Sequence, residues 1–130
     1  MKPILFSLIT LLSFSTALSQ ENIHSKLIGK WEAKDSDGVT GSLEFIDSTN
    51  IIVTIPNEPL PRGTYTLDTT KDPIWFDITI KQGARVLTMK GLIKIVNERV
   101  IKWQYYDDNR RATKFSNENG SNSILLKRKE

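Results

Sequence analysis

The chain has 130 residues, no cysteine, one histidine and a formal net charge of +3. The absence of cysteine excludes disulfide bonds, a cysteine-bound metal and a lipoprotein anchor, because each of these requires a thiol. Basic and acidic residues are interleaved along most of the sequence, so the basic stripe that nucleic-acid binding requires is not predicted. We therefore expect no nucleic-acid partner and a single domain that is stabilised by its hydrophobic core.

The first segment, residues 1–19, has the pattern of a secretory signal peptide. A lysine at the start is followed by an apolar run over residues 4–14, and small residues precede Gln20, the expected mature N-terminus. The apolar run is shorter than the ~20 residues of a membrane-spanning helix. We expect an exported protein, periplasmic or extracellular, with a mature domain over residues 20–130 and without a membrane span or lipid anchor.

From Gly29 onwards the hydrophobic residues recur with a period of two, which is typical of strands that bury one face. The pattern predicts eight strands, over residues 29–35, 40–46, 50–55, 62–69, 74–82, 86–96, 98–106 and 123–129. Short turns rich in Asp, Ser, Asn and Gly separate most of them. This spacing predicts an all-β fold, either a barrel or a sandwich, and excludes alternating α/β units.

Several short motifs resemble those of known barrels. Gly29-Lys30-Trp31 at the start of the first strand resembles the G-x-W opening of lipocalins. The second half is similar to a family of small exported bacterial lipocalin-like domains, in the segments Gly63–Asp68, Pro73–Asp77, Gly91–Ile93, Arg111–Phe115 and Leu126–Arg128. The chain departs from that family where Leu92-Ile93 replaces Ile-Tyr and where Ala112 replaces a proline. The resemblance implies an eight-stranded antiparallel up-and-down barrel, lipocalin-like, with a short N-terminal helical turn. Such a sheet closes around side chains or one small ligand.

The same resemblance implies a structural role for three residues at one end of the barrel. Trp31, two residues after Gly29, would plug that end and pack under a basic residue of the last strand. Arg128 is the candidate partner because it is in phase with the apolar residues of that strand. A guanidinium stacked on an indole contributes ~0.5–2 kcal/mol.

Five other residues are candidate ligand contacts. Trp75 and Asp77 share one face of the fifth strand, where an aspartate is unfavourable unless it is solvated or paired. Trp103 and Tyr105 run towards the long loop after the seventh strand and either line a pocket or belong to the core. Arg111, in that loop, is expected beside these aromatic residues, where it would favour a carboxylate or phosphate group.

No catalytic, cofactor or metal motif is recognised in the sequence. His24 is the sole histidine, and no nucleophile and acid are spaced around it as a catalytic triad requires. Asp35 with Asp37, and Asp107 with Asp108, lack the glycine and spaced ligands of a dedicated calcium site. We expect a protein that is not an enzyme and that needs no cofactor or metal.

The predicted function is the binding of a small, partly apolar molecule by a monomeric, exported barrel. The alternative is a filled barrel that acts through its loops as an interaction, inhibitor or envelope-associated module. Bulky inward residues such as Ile78, Ile93 and Trp103 favour the filled barrel. Gly63 and Gly91 favour a pocket, because glycine opens space or bends a strand. The sequence leaves both possibilities open.

Overall fold

The computed structural model of the chain describes residues 23–35, 37–106, 109–116 and 121–130. The predicted signal peptide and the pair Asp107 and Asp108 lie outside this part. A helix, α1, is described over residues 23–27. The strands that follow are β1 (Gly29–Asp35), β2 (Gly38–Phe45), β3 (Asn50–Thr54), β4 (Gly63–Asp68), β5 (Ile74–Gln82), β6 (Arg85–Asn97), β7 (Val100–Tyr106) and β8 (Ser121–Arg128).

The eight strands form a closed antiparallel barrel in which every strand pairs with its neighbours in sequence and β1 pairs with β8. This confirms the predicted fold class. Each strand begins and ends within two residues of its predicted position, because turn residues and alternation are local properties of the chain. The seam between β1 and β8 is short and contains the pairs Trp31–Arg128 and Glu32–Lys127 and a backbone hydrogen bond from Lys129 to Lys30.

The inward faces of all eight strands contribute to one buried core. Five aromatic rings form a continuous chain through its centre, with neighbouring ring centroids 4.6 to 6.2 Å apart. The rings belong to Phe45, Tyr65, Phe76, Trp103 and Tyr105. These separations are those of rings in contact, so aromatic side chains occupy the centre of the barrel.

Two glycines stand where strands approach one another closely, and not beside open space. A Cβ atom at Gly91 would lie 2.4 Å from the backbone oxygen of Gln104, and one at Gly63 would lie 2.7 Å from that of Thr79. Glycine is required at such positions because only a hydrogen fits between the backbones. The expectation that these glycines open a pocket is therefore wrong.

Helix α1 covers one end of the barrel, which we call the α1 end. Leu27 is fully buried there, and the indole Nε1–H of Trp31 donates a hydrogen bond of 2.8 Å to its carbonyl oxygen. The Arg128 guanidinium lies 4.1 Å from the centroid of the Trp31 ring. Gly29 has a φ of +122°, and a Cβ atom there would lie 3.0 Å from Nη1 of Arg128. The geometry at this end thus requires glycine before the tryptophan.

Residues 109–116, which we call the strap, pack on the outward face of β5, β6 and β7. Leu92 and Ala112 are both fully buried although neither belongs to the core inside the barrel. Leu92 is paired across the sheet with Trp75 and Gln104, and both of these residues contact the strap. The strap therefore explains why an outward-facing leucine occurs in the middle of β6.

Candidate functional site

The five predicted ligand contacts separate into two groups on opposite sides of the barrel wall. Trp103 and Tyr105 point into the core, where their rings stack 4.6 Å apart. Trp75, Asp77 and Arg111 lie together on the outward face. The Arg111 guanidinium is 4.2 Å from the centroid of the Trp75 ring and binds the Asp77 carboxylate. A single ligand inside the barrel would therefore not contact all five residues.

Arg111 fastens the strap to the barrel wall. Its two terminal nitrogens donate hydrogen bonds of 2.5 and 2.7 Å to the two carboxylate oxygens of Asp77. Both side chains are about three-quarters buried, with exposed fractions of 23% and 29%. The expected position of Arg111 beside Trp103 and Tyr105 is wrong, because the strap runs back along the outside of the barrel.

The surroundings of this ion pair are rich in charge. The ammonium of Lys71 lies 4.9 Å from the Trp75 ring centroid, so that this indole contacts two cations, Lys71 and Arg111. Hydrogen bonds from Thr70 hold the pKa of Asp68 below its usual value, and the charges of Lys71 and Arg111 act in the same direction. Each charged group here already has a partner within the protein, which favours a structural role.

Gln104 holds the other part of the strap and was missed by the sequence analysis. Its side chain is fully buried, its Nε2 donates to the carbonyl of Lys114 at 3.0 Å, and its Oε1 accepts from the amide of Ser116 at 2.7 Å. The two bonds flank Phe115 and fix the backbone on both sides of that ring. Alternation marks Gln104 as outward-facing, but burial of its amide depends on the path of the strap.

Inside the barrel, one polar atom is buried without a hydrogen-bond partner in the described part of the chain, Nε1 of Trp103. A Cβ atom at Gly91 would lie 3.3 Å from this nitrogen. The ring therefore lies close against the β6 backbone. Its contacts with Phe76 and Tyr105 make it part of the aromatic chain.

A cleft of about 530 Å³ opens at the α1 end of the barrel. It is lined by Ile23, Lys26, Asp72, Pro73, Ile74, Ile93, Lys94, Ile95 and Phe115. The cleft forms because β5 begins at Ile74, opposite Ile93, whereas β6 continues to Asn97. Beyond Ile93 the strand is paired with β7 alone, so that one edge faces the cleft.

The cleft has the size and chemistry of a small-molecule site. Its volume lies within the range of ~300–1,000 Å³ that is typical of such sites. Isoleucine, proline and phenylalanine side chains form most of the wall, and two lysines and one aspartate supply charge. None of the eight residues singled out as candidate contacts or plug lines it. Its lining residues come from four separated segments, which explains why no sequence motif revealed it.

His24 and Tyr65 form a polar contact under α1. The Nδ1 atom of His24 lies 3.1 Å from the hydroxyl of Tyr65, which donates a hydrogen bond of 2.7 Å to the carbonyl of Asp47. Burial raises the pKa of Tyr65 to about 12, and the charge of Asp47 acts in the same direction. The contact joins α1 to the β2–β3 turn and leaves the histidine beside a neutral phenol.

Within residues 23–35, 37–106, 109–116 and 121–130, no three His, Cys, Asp or Glu side chains are grouped so that they could hold a metal ion. The same part of the chain contains no helix with the length and apolar character needed to cross a membrane.

Comparison with protein-family models, with curated proteins and with solved structures gave no match to this chain. The fold is consistent with a lipocalin-like barrel. A functional assignment therefore depends on the geometry of the molecule itself.

Proposed function

We propose that this chain is an exported, lipocalin-like binding protein without enzymatic activity that holds a small, partly apolar molecule in the cleft at the α1 end. The cleft itself is the observation that carries this proposal. It combines a volume of about 530 Å³ with an apolar wall and with the ammonium groups of Lys26 and Lys94. A ligand with an apolar body and a negative group would match both features, because the lysines outnumber the one carboxylate, that of Asp72.

The cleft is favoured over the barrel interior because the aromatic chain occupies the centre of the barrel. Binding without catalysis is favoured because Asp72 is the one carboxylate that lines the cleft. Hydrolysis of an ester or a glycan by general acid–base catalysis would require a second convergent group.

The proposal is tested with 8-anilinonaphthalene-1-sulfonate, a fluorescent probe that has an apolar body and a sulfonate group. We expect saturable binding by the mature protein and at least fivefold weaker binding by Ile95→Gln, which puts an amide into the apolar wall. Val86→Gln is the matched control, because Val86 is exposed and lies outside the cleft. Equal affinity of the two variants would place the probe elsewhere and contradict the proposal.

Mass spectrometry of the protein purified from its native host complements this test. A small molecule that is retained under non-denaturing conditions and lost on denaturation would identify the natural ligand. We expect Ile95→Gln to carry less of it than Val86→Gln.

The second candidate is a filled barrel that acts through its outer surface as an interaction or envelope-associated module. The continuous chain of five aromatic rings favours it, because a barrel with such a centre has little interior left for cargo. Purification as a bare polypeptide, together with no effect of Ile95→Gln on probe binding, would support this candidate over the first.

A further inference from the structure

The charges of the described barrel are segregated by strand. Strands β6, β7 and β8 contain no aspartate or glutamate. They contain six basic residues, namely Arg85, Lys90, Lys94, Lys102, Lys127 and Arg128. The interleaving of charges expected from the sequence does not hold in these three strands, which are neighbours in the barrel.

Two of these lysines face one another directly across the sheet. Lys94 of β6 is paired in register with Lys102 of β7. Both side chains point outwards, since their neighbours Ile93, Ile101 and Trp103 are buried in the core. Like charges in directly opposed positions destabilise a sheet, and neither lysine forms an ion pair with a described residue. The two lysines thus face each other without an ion-paired carboxylate in the described part of the chain.

Exposed apolar side chains lie among the lysines. Leu125, which is 59% exposed, is paired in register with Lys102, and Lys127 is paired with Val100. Val96, which is 49% exposed, follows Lys94 by two residues on the same strand. We call this surface the basic wall, and define it as Lys94, Val96, Val100, Lys102, Leu125 and Lys127. Acidic residues lie at its edges. Glu32 is paired with Lys127 across the seam, Glu130 lines a groove with Val100 and Lys127, and Asp72 lines the cleft with Lys94.

We propose that the basic wall docks on a membrane surface that carries anionic phospholipids. Lysine ammonium groups are attracted to the phosphates of such a surface, and each of them contributes to binding. The phosphates would also relieve the repulsion between Lys94 and Lys102. Leucine and valine side chains between the lysines favour lipid over a soluble polyanion, because they gain from contact with the boundary between head groups and acyl chains.

Docking in this way would bring the cleft to the lipid surface. Lys94 belongs both to the basic wall and to the lining of the cleft, and Phe115, which also lines the cleft, lies under the ammonium of Lys102 at 4.9 Å. An amphiphilic molecule could therefore pass between the membrane and the cleft without crossing open solvent. The docking proposal itself does not depend on a ligand in the cleft.

The test is co-sedimentation of the mature protein with phospholipid vesicles. One set is made of phosphatidylcholine, and the other contains phosphatidylcholine and phosphatidylglycerol in a ratio of about seven to three. We expect binding to the anionic vesicles alone, weakening as salt is added. The variant Lys94→Gln/Lys102→Gln should bind more weakly, by roughly fivefold for each lysine removed.

The matched control is Lys81→Gln/Arg85→Gln, which removes two charges from the exposed hairpin between β5 and β6. We expect it to bind like the wild type. Leu125→Ser should weaken binding to vesicles and leave binding to dextran sulfate beads unchanged, because only the vesicles offer an apolar layer. Thermal melting of every variant confirms that the barrel is intact.

Three outcomes would overturn the proposal. The first is no binding of the wild type to anionic vesicles, and the second is equal loss in the Lys94/Lys102 variant and the control. The third is lysine-dependent binding to dextran sulfate with none to vesicles, which would identify a soluble polyanion as the partner.

Discussion

Arg128 lies over the indole ring of Trp31 and at the same time binds the chain that leads into β1. Its guanidinium donates hydrogen bonds of 2.5 and 2.9 Å to the carbonyl oxygens of Lys26 and Ile28, and one of 3.2 Å to that of Glu98. The seam between β1 and β8 is short, with two paired residues on each strand and a backbone hydrogen bond of 2.8 Å from the amide of Lys129 to the carbonyl of Lys30. The Arg128 contact therefore adds to the closure of the barrel. One side chain thus joins α1, β1, β8 and the β6–β7 turn.

Substitution of Trp31 or of Arg128, which packs on it, should destabilise the protein. We expect Trp31→Ala to lower the free energy of unfolding by about 3–5 kcal/mol, as for other buried large aromatic residues. Arg128→Lys keeps the charge but loses the several N–H donors of the guanidinium and part of its stacking on the indole. We expect it to lower the free energy of unfolding by about 1–2 kcal/mol. Urea denaturation of both variants measures these differences. A Trp31→Ala variant that melts within about one or two degrees of the wild type would contradict the structural role.

Loss of the Gln104 amide should release the strap while the barrel persists. Gln104→Leu leaves the carbonyl of Lys114 and the amide of Ser116 without their hydrogen-bond partner. We expect this to lower the stability of the docked strap by about 1–3 kcal/mol. We expect trypsin to cleave after Lys114 much faster than in the wild type. The control is Val53→Ala, which destabilises the inner core away from the strap. Equal acceleration in both variants would mean that cleavage follows global unfolding.

The ion pair between Asp77 and Arg111 should contribute modestly to stability. Since both side chains retain about a quarter of their exposure, water screens part of their attraction. A double-mutant cycle with Asp77→Asn and Arg111→Gln is expected to give a coupling free energy of about 1 kcal/mol. The coupling should fall as salt is added. A value near zero at low salt would show that the bidentate contact does not fasten the strap.

The basic wall should be a site where stability and binding oppose each other. Lys94→Glu replaces the like-charge pair with an opposite-charge pair across from Lys102, and we expect a gain of about 0.5–1 kcal/mol in stability. The same substitution should abolish sedimentation with anionic vesicles. Thermal melting and the vesicle assay are run on one preparation. A loss of stability would indicate that the repulsion between the lysines is already relieved by surrounding groups.

Tyr65 should make the protein sensitive to alkaline pH. Its pKa is raised by burial to about 12 in the folded protein, from 10.0 for an ordinary tyrosine. The unfolded chain therefore loses the phenolic proton first, and the stability that depends on this residue is complete below pH 10 and is lost as pH rises towards 12. We expect Tyr65→Phe to be less stable at neutral pH but to lose less stability over this interval.

Melting temperatures of the wild type and of Tyr65→Phe between about pH 9 and pH 12 test this prediction. Taking the difference between the two proteins removes the pH dependence that both proteins share. A constant difference across this interval would show that Tyr65 does not resist ionisation.

The fold could be predicted because its determinants are local. Alternation over Ile74–Ile80 and the glycine before Trp31 specify a strand face and a backbone conformation from a few neighbouring residues. Arg128 could be predicted as the partner of Trp31 from two short segments, one in the first strand and one in the last. The strand that ends at Arg128 must meet the strand that contains Trp31 once the sheet closes.

The candidate site could not be predicted in the same way. Arg111 contacts Asp77, which lies 34 residues earlier, and this depends on the path of the strap along the outside of the barrel. Gly91 has a role that depends on how closely Gln104 approaches from β7. The cleft depends on the end of β6, which continues beyond Ile93, the residue paired with the first residue of β5. Each of these features is a relation between segments and not a property of one segment.

The sequence by itself determined the eight strands, the inward and outward faces, and the all-β class, because alternation and turn chemistry act between residues that are adjacent in the chain. Only the tertiary structure decided that aromatic rings fill the centre, that the strap covers Leu92, and that Lys94 faces Lys102. Those outcomes follow from register and closure, which bring distant residues together through the packing of the whole barrel.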